Sequence, residues 1–318
     1  MARIGMLRLA ALAIALSCAA GGAAAQDALK IAVGQRGGWE QCVSELGQNA
    51  GIFKKHGLTL DVLYTQGSGE TLQSVISASV DVGIGTGSHA LLGAYAKGAP
   101  VRAIGASFTS ADDQFYYVVA DSPIRSMKDA DGKTIAISTS GSASNIFALA
   151  LARHFGVALK PQPTGAYAAT LTQTLTGQVD IGFSQAPFNL NAVDDGRIRI
   201  IAMGRDVPEL RHMTSRLIIA NTAILAQKKA LIARYMQGFV ETLDWLYSDP
   251  AAIKAYAAWS GLPEAIARRA PEFLTKENLD PRHISGLDAI VADAVKFKYL
   301  PAPLTQAQLA EVIQLPVK

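Results

Sequence analysis

The sequence predicts an α/β protein made of two similar lobes, and three observations lead to this prediction. The chain has 318 residues, which is enough for roughly two domains of about 150 residues each. Its hydrophobic fraction of 50% supports a sizeable core and argues against disorder. Short apolar runs alternate with helix-like segments, and this alternation is typical of βαβ units around a parallel sheet.

An internal repeat divides the α/β region into two copies. Residues 71–83 align with residues 170–182 at an offset of 99, since both begin with Thr-Leu and end with Val-Asp, Val or Ile, and Gly. Further matches in the same order are Gly57 with Gly156, Gly105 with Gly204 and, at an offset of 104, Ile31–Val33 with Ile135–Ile137. Chance similarity between two ordinary βαβ segments is the alternative, and the fixed order of the matches argues against it.

Polar connections mark the boundaries between the lobes. Two such connections precede residues 115 and 213, where turn-forming and charged residues interrupt the apolar pattern. We therefore assign residues 27–109 to the first part of lobe I, 110–212 to lobe II, and 213–318 to a return to lobe I with a C-terminal helical tail.

The tail is predicted to begin with a strand at Leu217–Ile219, which an amphipathic helix over 228–247 follows. Further helices are predicted to begin near Pro250, Pro263, Ser285 and Thr305. We expect this tail to wrap onto the first lobe.

The first 25 residues have the pattern of a secretory signal peptide. Arg3 and Arg8 precede a short apolar run over 9–16, and small residues end at Ala23–Ala25 before the predicted cleavage site. The run is shorter than the about 20 apolar residues that a transmembrane helix needs. Cys18 leaves a lipoprotein as the alternative, although no leucine stands three residues upstream. We therefore expect a soluble, periplasmic protein.

Charge and cysteine content exclude several classes of protein. Cleavage removes two arginines and no acid, which lowers the formal net charge from +3 to +1. A near-neutral chain with scattered charges lacks the basic surface that binds nucleic acids and acidic membranes. Cys42 is the single cysteine of the predicted mature chain, so a disulfide-bonded scaffold is excluded.

Six turns at the predicted carboxyl ends of strands are candidates for a ligand site, because ligands of open parallel sheets bind at that edge. All six are rich in Gly, Ser, Thr or Gln and precede a predicted helix: 34–39, 65–69, 85–89, 138–144, 164–167 and 184–187. Glycine permits close approach of a ligand to the backbone, and a helix N-terminus favours an anion. The alternative is that these residues only cap helices and form turns.

Catalytic and metal-binding motifs are weak or missing in the sequence. Residues 85–90 read G-x-G-x-x-A but follow the third strand of their unit, which argues against a dinucleotide site. Neither a Walker-type phosphate loop nor a G-x-S-x-G elbow occurs. Ser142 and Ser144 have no base placed beside them by the sequence and are predicted to cap a helix. The five histidines lack metal-ligand spacing, so we predict no metal centre and no cofactor.

Aromatic and ionisable residues near the first turns are further candidates. Trp39 follows two glycines, where its ring can stack on a planar ligand, and packing against the following helix is the alternative. Arg36 and His89 can each pair with a carboxylate, with a solvated or structural role as the alternative. Cys42 is predicted to be a small buried hydrophobe.

Four ordered motifs carry a resemblance to a known family. They stand at Gln48–Leu60, at Val80–Gly85 with Lys97–Val101, at Asp121–Ser126 with Asp131–Ala136, and at Gly177–Asp180. They resemble the exported solute-binding proteins of ABC importers of the nitrate, sulfonate and taurine type, which includes binders of thiamin-pyrimidine precursors. The resemblance covers essentially the whole mature chain. It implies an α/β, type II periplasmic-binding-protein fold, in which two crossover segments join two lobes and the ligand lies between them.

The resemblance also implies ligand contacts in this cleft and no catalytic residue. Together with the turns, it indicates these contacts: Gly38, Trp39, Ser68, Gly69, Gly87, Ser88, Ser142, Ala143, Tyr167 and Gln185. It implies a monomer that captures a small anion (a sulfonate, nitrate or aromatic carboxylate) or a heteroaromatic compound and delivers it to an ABC permease and its ATPase. The alternatives are an enzyme of the thiamin-pyrimidine or menaquinone-pathway type on the same fold, and an exported sensor-input module.

Overall fold

The computed structural model describes residues 26–316, so the predicted signal peptide and Cys18 lie outside the described residues. The strands of the described part are β1 (Asp27–Gly34), β2 (Leu58–Thr65), β3 (Val82–Gly87), β4 (Val101–Thr109), β5 (Gln114–Val119), β6 (Thr134–Ile137), β7 (Lys160–Pro163), β8 (Gly182–Gln185), β9 (Ile198–Met203) and β10 (Thr214–Asn221). The α-helices are α1 (Val43–Asn49), α2 (Ile52–Lys55), α3 (Ser68–Ile76), α4 (Ser88–Ala96), α5 (Ala143–Phe155), α6 (Tyr167–Leu175), α7 (Leu190–Asp194), α8 (Thr222–Ser248), α9 (Pro250–Ser260), α10 (Glu264–Ala267), α11 (Ala270–Phe273), α12 (Leu287–Lys296) and α13 (Gln306–Val312).

The strands form two lobes with the same strand order. In the first lobe the order is β2-β1-β3-β10-β4, and β10 runs antiparallel to both of its neighbours. In the second lobe β8-β5-β9 and β6-β7 are joined by a parallel bridge between Ile135 and Ile181, so the order is β7-β6-β8-β5-β9. Here β5 is the antiparallel strand. The predicted pair of similar α/β lobes is confirmed, and each sheet is mixed because one of its strands comes from a crossover segment.

The repeated Val-Asp-x-Gly motif explains why the two copies fold alike. Asp81 accepts the backbone N–H of Lys30 on β1 at 2.9 Å, and Asp180 accepts that of Thr134 on β6 at 2.8 Å. Each aspartate therefore joins the start of the third strand of its lobe to the first strand. The glycine two residues later leaves no room for a side chain, since a Cβ there would lie 2.7 Å or less from a neighbouring side chain in both copies. This glycine lets the helix pack closely on the sheet.

Two crossover segments run side by side between the lobes. The backbone N–H of Ser110 donates to the carbonyl of Met213 at 3.0 Å, and the Ser215 hydroxyl donates to the carbonyl of Ser110 at 2.7 Å. Ser110 has a φ of +106°, a region that favours glycine. The chain bends here as it leaves β4 and enters β5, and the second segment enters β10 beside it.

The helical tail contacts both lobes rather than the first alone. Helices α8 and α9 pack on the first sheet in one hydrophobic cluster. Ile266 of α10, however, packs with Phe115 of the second lobe, and Arg153 of the second lobe pairs with Asp293 of α12 at 2.8 Å. Helices α9, α10, α12 and α13 begin within two residues of their predicted starts. Within residues 26–316, none of the helices has the length and apolar character needed to cross a membrane.

Candidate ligand-binding cleft

Residues of both lobes line a cavity between them. It lies where the carboxyl ends of β1, β2, β3, β6, β7 and β8 meet, as expected for an α/β ligand site. Each of the six predicted turns contributes to its lining, through Gln35, Ser68, Gly85, Ser142, Tyr167 and Gln185 among others.

The lobes also touch each other directly around this cavity. The backbone N–H of Ala90 donates to the carbonyl of Gly141 at 3.3 Å, and that of Tyr167 donates to Oε1 of Gln35 at 3.0 Å. Gly87 approaches the opposite lobe so closely that a Cβ on it would lie 2.2 Å from the carbonyl oxygen of Gly141. The structure therefore represents a closed arrangement of the lobes.

Serine hydroxyls hold the turns around the cavity in place. Ser142 is the N-cap of α5 and accepts the backbone N–H of Asn145, so its predicted capping role is confirmed. Ser144 accepts the backbone N–H of Ser138 at 2.9 Å, and Ser68 accepts that of Gly87 at 2.8 Å. These bonds satisfy buried donors and fix the turns, so the serines shape the cavity whether or not they contact a ligand.

Three buried glutamines line the cavity, each with one amide atom that has no hydrogen-bond partner among residues 26–316. Gln185 accepts the Tyr167 hydroxyl on Oε1 at 2.5 Å, which leaves its Nε2 without an acceptor. Nε2 of Gln114 also has no acceptor, and Oε1 of Gln41 has no donor. An unsatisfied buried polar group costs about 1–3 kcal/mol, so a ligand that pairs with these amides is favoured.

A buried charge cluster of Arg216, Glu40 and Asp113 lies at the same cavity. Nη2 of Arg216 contacts Oδ2 of Asp113 at 2.5 Å, and its Nε lies 2.7 Å from Oε2 of Glu40 in a charge contact without hydrogen-bond alignment. Both carboxylates are fully buried, and the guanidinium stacks over Phe108 at 4.5 Å. Arg216 is itself one of the lining residues. The cluster contains two acids and one base, which gives it a formal charge of −1 when all three are ionised.

Burial and the neighbouring charges together set the pKa values of Asp113 and Arg216. It raises the pKa of Asp113 to about 6, an effect that Arg216 opposes and Glu40 strengthens. Burial also acts to lower the pKa of Arg216, but the charges of Asp113 and Glu40 outweigh it and raise that pKa above its usual value. The guanidinium therefore stays charged, and Asp113 takes up a proton in mildly acidic solution.

Trp39 does not lie in the cleft, which corrects the expectation that it stacks on a ligand. Its side chain is fully buried in the hydrophobic core of the first lobe. The indole N–H donates to the Tyr247 hydroxyl at 2.9 Å, and the ring meets Tyr256 edge to face at 4.8 Å. The packing alternative is therefore the correct one, with aromatic residues of the tail as its partners.

Other expected contact residues lie at different places around the cavity. Ser142, Ala143, Ser68, Tyr167 and Gln185 line it. Gly87 lies where the two lobes touch, and Gly69 lies opposite the Thr139 side chain. A Cβ on Gly38 would clash with Gln41, so this glycine makes room for a lining side chain. The expected ligand contact at Ser88 is wrong, because this residue is buried and lines a separate apolar cavity with Leu91 and Leu92.

Arg36, His89 and Cys42 have structural surroundings. The Arg36 guanidinium lies 4.8 Å from the ring centre of Trp259 at the surface. His89 stacks on Tyr299, and burial lowers its pKa to about 4, so its ring is neutral. Cys42 is fully buried and donates to the carbonyl of Trp39, and burial raises the pKa of its thiol well above the usual value. It behaves as the small buried hydrophobe that the sequence predicts.

Five polar residues at the cleft were not among the sequence candidates: Glu40, Gln41, Asp113, Gln114 and Arg216. Glu40 and Gln41 directly follow the first turn, and Asp113 and Gln114 end the first polar connection. Arg216 precedes the apolar run of β10, where a lone charge beside buried residues is the signal. Within residues 26–316, no three His, Cys, Asp or Glu side chains are grouped to hold a metal ion.

Comparisons with solved structures reveal the same architecture in other proteins. The alkanesulfonate-binding protein SsuA from Xanthomonas axonopodis pv. citri, bound to MOPS, has a TM-score of 0.76 and 19% identity over 91% of this chain and 98% of that chain. The Candida albicans CA3427 gene product, which has the generic periplasmic-binding-protein fold, has a TM-score of 0.72 and 16% identity over 91% and 96%. An enzyme is similar too, since the desulfurization enzyme DSZB has a TM-score of 0.65 and 18% identity over 89% and 96%.

Sequence comparison adds the family. At the identities above, structural similarity shows the fold and not the function. No curated protein sequence matches the chain significantly. Residues 46–253, more than half of the chain, match the family model described as NMT1/THI5 like. The chain therefore belongs to the NMT1/THI5-like family and has the periplasmic-binding-protein fold.

Proposed function

We propose that this protein is an extracytoplasmic solute-binding protein that captures a small solute between its lobes and delivers it to an ABC importer. The observation that carries the proposal is the interlobe cavity, to which all six turns contribute. Three buried glutamines that line it each have an amide atom without a hydrogen-bond partner among residues 26–316. A small polar solute is the occupant that such a cavity favours. The proposed class comprises small organic or inorganic anions and heteroaromatic compounds.

The mechanism is a ligand-biased equilibrium between open and closed lobes. Direct contacts between the lobes include polar ones at the cleft, such as that of Ala90 with Gly141 and that of Gln35 with Tyr167. A ligand that bonds to both lobes adds to these contacts in the closed form alone, so it shifts the population towards closure. The paired crossover segments around Ser110 act as the hinge. A permease and its ATPase are the proposed recipients of the closed, loaded form in the periplasm.

An enzyme on this fold is the competing function, since DSZB is structurally similar. Cys42 is the one free cysteine among residues 26–316, and it is poorly suited as a nucleophile. Its thiol is fully buried, its pKa is raised, and it lies in the core of the first lobe. Nucleophilic cysteines instead have a lowered pKa and are accessible to substrate. This contrast supports binding without turnover.

A thermal-shift panel on the mature protein tests the proposal. The compounds are alkyl and aryl sulfonates, nitrate, aromatic carboxylates and pyrimidines. A compound at 100 times its Kd stabilises the folded protein by about 2.7 kcal/mol. Any compound that raises Tm is then measured by calorimetry on wild type, on Gln185→Ala in the cleft and on Gln178→Ala at the exposed surface as the matched control.

We expect Gln185→Ala to weaken binding and Gln178→Ala to leave it unchanged. Equal affinity in all three proteins would place binding outside the cleft and contradict the proposal. Chemical conversion of a bound compound, followed by mass spectrometry, would favour the enzyme instead. The absence of binding by every class in the panel would also count against a solute-binding role.

A further inference from the structure

The unpaired polar atoms of the cleft bear on the chemistry of its ligand. Among the described residues, Nε2 of Gln114 and Nε2 of Gln185 are donors without acceptors, and Oε1 of Gln41 is an acceptor without a donor. All three side chains are at least nine-tenths buried and line the same cavity. Donors and an acceptor in one cavity match a ligand group that itself carries both an acceptor and a donor, such as a carboxamide.

The charged groups at the cleft also favour an uncharged ligand. Arg216 is the charged side chain among the residues that line the cavity, and Glu40 and Asp113 already contact it. The two carboxylates exceed the guanidinium by one formal negative charge. Because all three groups are buried, salt screens the cluster less than it screens a surface pair. The two carboxylates already compensate the Arg216 guanidinium, so an anion in the cavity meets no unpaired cation among the side chains that line it.

From these observations we infer that the cleft selects a ligand without net negative charge, recognised by the amides of Gln41, Gln114 and Gln185. The inference rests on the proposed function and narrows its ligand class to uncharged compounds that carry both a hydrogen-bond donor and an acceptor. Sulfonates, nitrate and carboxylates are thereby disfavoured. The competing mode of binding places an anion at the N-terminus of α5, beside Ser142 and Ala143. A comparison of charged and uncharged ligands distinguishes this mode from recognition by the glutamine amides.

Pairs of compounds with the same ring and different charge test the inference. Nicotinamide is compared with nicotinate, and benzamide with benzoate, by calorimetry on the mature protein at neutral pH. Each pair differs in the polar group alone, so the ratio of affinities reports the preference for charge. We expect each amide to bind at least about tenfold more tightly than its acid, which corresponds to about 1.4 kcal/mol.

Variants separate the charge effect from the amide contacts. Asp113→Asn removes the excess negative charge and is expected to bring each acid to within about threefold of its amide, since a like charge no longer opposes it. Glu40→Gln also removes one negative charge that contacts Arg216, and it replaces Asp113→Asn in the experiment if that variant fails to fold. Gln185→Ala is expected to weaken nicotinamide binding about tenfold through the lost amide contact. The exposed Gln178→Ala is the control.

Three outcomes overturn the inference. The first is binding of the acids as tightly as the amides or more tightly, which leaves the proposed function standing. The second is an amide-to-acid ratio that neither Asp113→Asn nor Glu40→Gln changes. The third is that neither member of either pair binds at millimolar concentration. The proposed function fails if neither these pairs nor any compound of the wider panel binds, whereas tighter binding of the acids overturns the inference alone, so the two failures are distinguishable.

Discussion

Replacing Arg216 with methionine is expected to destabilise the protein strongly, because it leaves Glu40 and Asp113 buried without their counter-charge. Both carboxylates are fully buried, and Arg216 is their cationic partner in the cluster. Breaking a buried ion pair by removing one partner costs about 3–5 kcal/mol. Methionine retains most of the packing volume over Phe108, so the loss reports charge more than cavity formation.

The pH dependence of this loss follows from Asp113. Its pKa is already raised to about 6 in the folded protein, so its contribution favours folding at low pH and is lost as pH rises through about 6. Without the guanidinium, which holds that pKa down, the pKa rises further. The difference in unfolding free energy between wild type and Arg216→Met is therefore expected to be large at pH 8 and smaller at pH 5, where Asp113 takes up a proton.

Urea unfolding of the mature protein, followed by tryptophan fluorescence at both pH values, measures this difference. Arg268→Met is the matched control, since Arg268 pairs with Glu264 at the surface with 56% of its side chain exposed. An exposed pair of this kind contributes about 0–1 kcal/mol. The reasoning is refuted if Arg216→Met costs no more than Arg268→Met, or if its cost is the same at pH 5 and pH 8.

Three further predictions concern packing, closure and reactivity. Trp39→Ala is expected to cost about 3–5 kcal/mol in urea unfolding as a buried aromatic, and reduced affinity with unchanged stability would contradict its place in the core. Gly87→Ala puts a Cβ 2.2 Å from the carbonyl oxygen of Gly141, so the lobes cannot close fully. Small-angle scattering with saturating ligand should then show a larger radius of gyration than wild type, and equal radii would be evidence against this contact. Cys42 should react with a thiol reagent only after urea unfolding, and rapid reaction in native buffer would show that it is accessible.

Much of the fold could be predicted because local sequence determines it. The repeat at an offset of 99 places the same aspartate and glycine in both lobes, and those residues make the same contacts in each. A helical segment that the sequence analysis did not predict precedes the predicted start of α8. The helix begins at Thr222, where Asn221 caps the backbone N–H of Ala223, and it is kinked at Lys228, the predicted start. The residues before that kink are good helix formers, but they lack the amphipathic pattern on which the prediction relied.

The cleft could be predicted only in outline. The three turns of each lobe lie together as expected, since the ends of neighbouring strands meet at one edge of a sheet, and the contact between the lobes brings the two sets to one cavity. Trp39 was misplaced because its partner Tyr247 is 208 residues away, and local pattern says nothing about such a contact. Arg216 and Asp113 are likewise 103 residues apart. Ion pairs of this kind depend on the three-dimensional path of the crossovers.

In the proposed open–closed mechanism, the position of the charge cluster links ligand binding to hinge movement. Asp113 follows the first crossover segment and Arg216 follows the second, so their ion pair joins the two segments beside Ser110. Gln114 and Arg216 belong to β5 and β10, the antiparallel strands that the crossovers supply to the two sheets. Ligand-facing groups and the hinge are therefore parts of the same strands. In that mechanism, a ligand that contacts Gln114 and Arg216 acts directly on the proposed hinge segments, and no intervening structure is needed to carry the effect. It follows that substitutions in this cluster should change both affinity and the balance between open and closed forms, whereas substitution of a lining residue outside β5 and β10, such as Gln185, should change affinity alone.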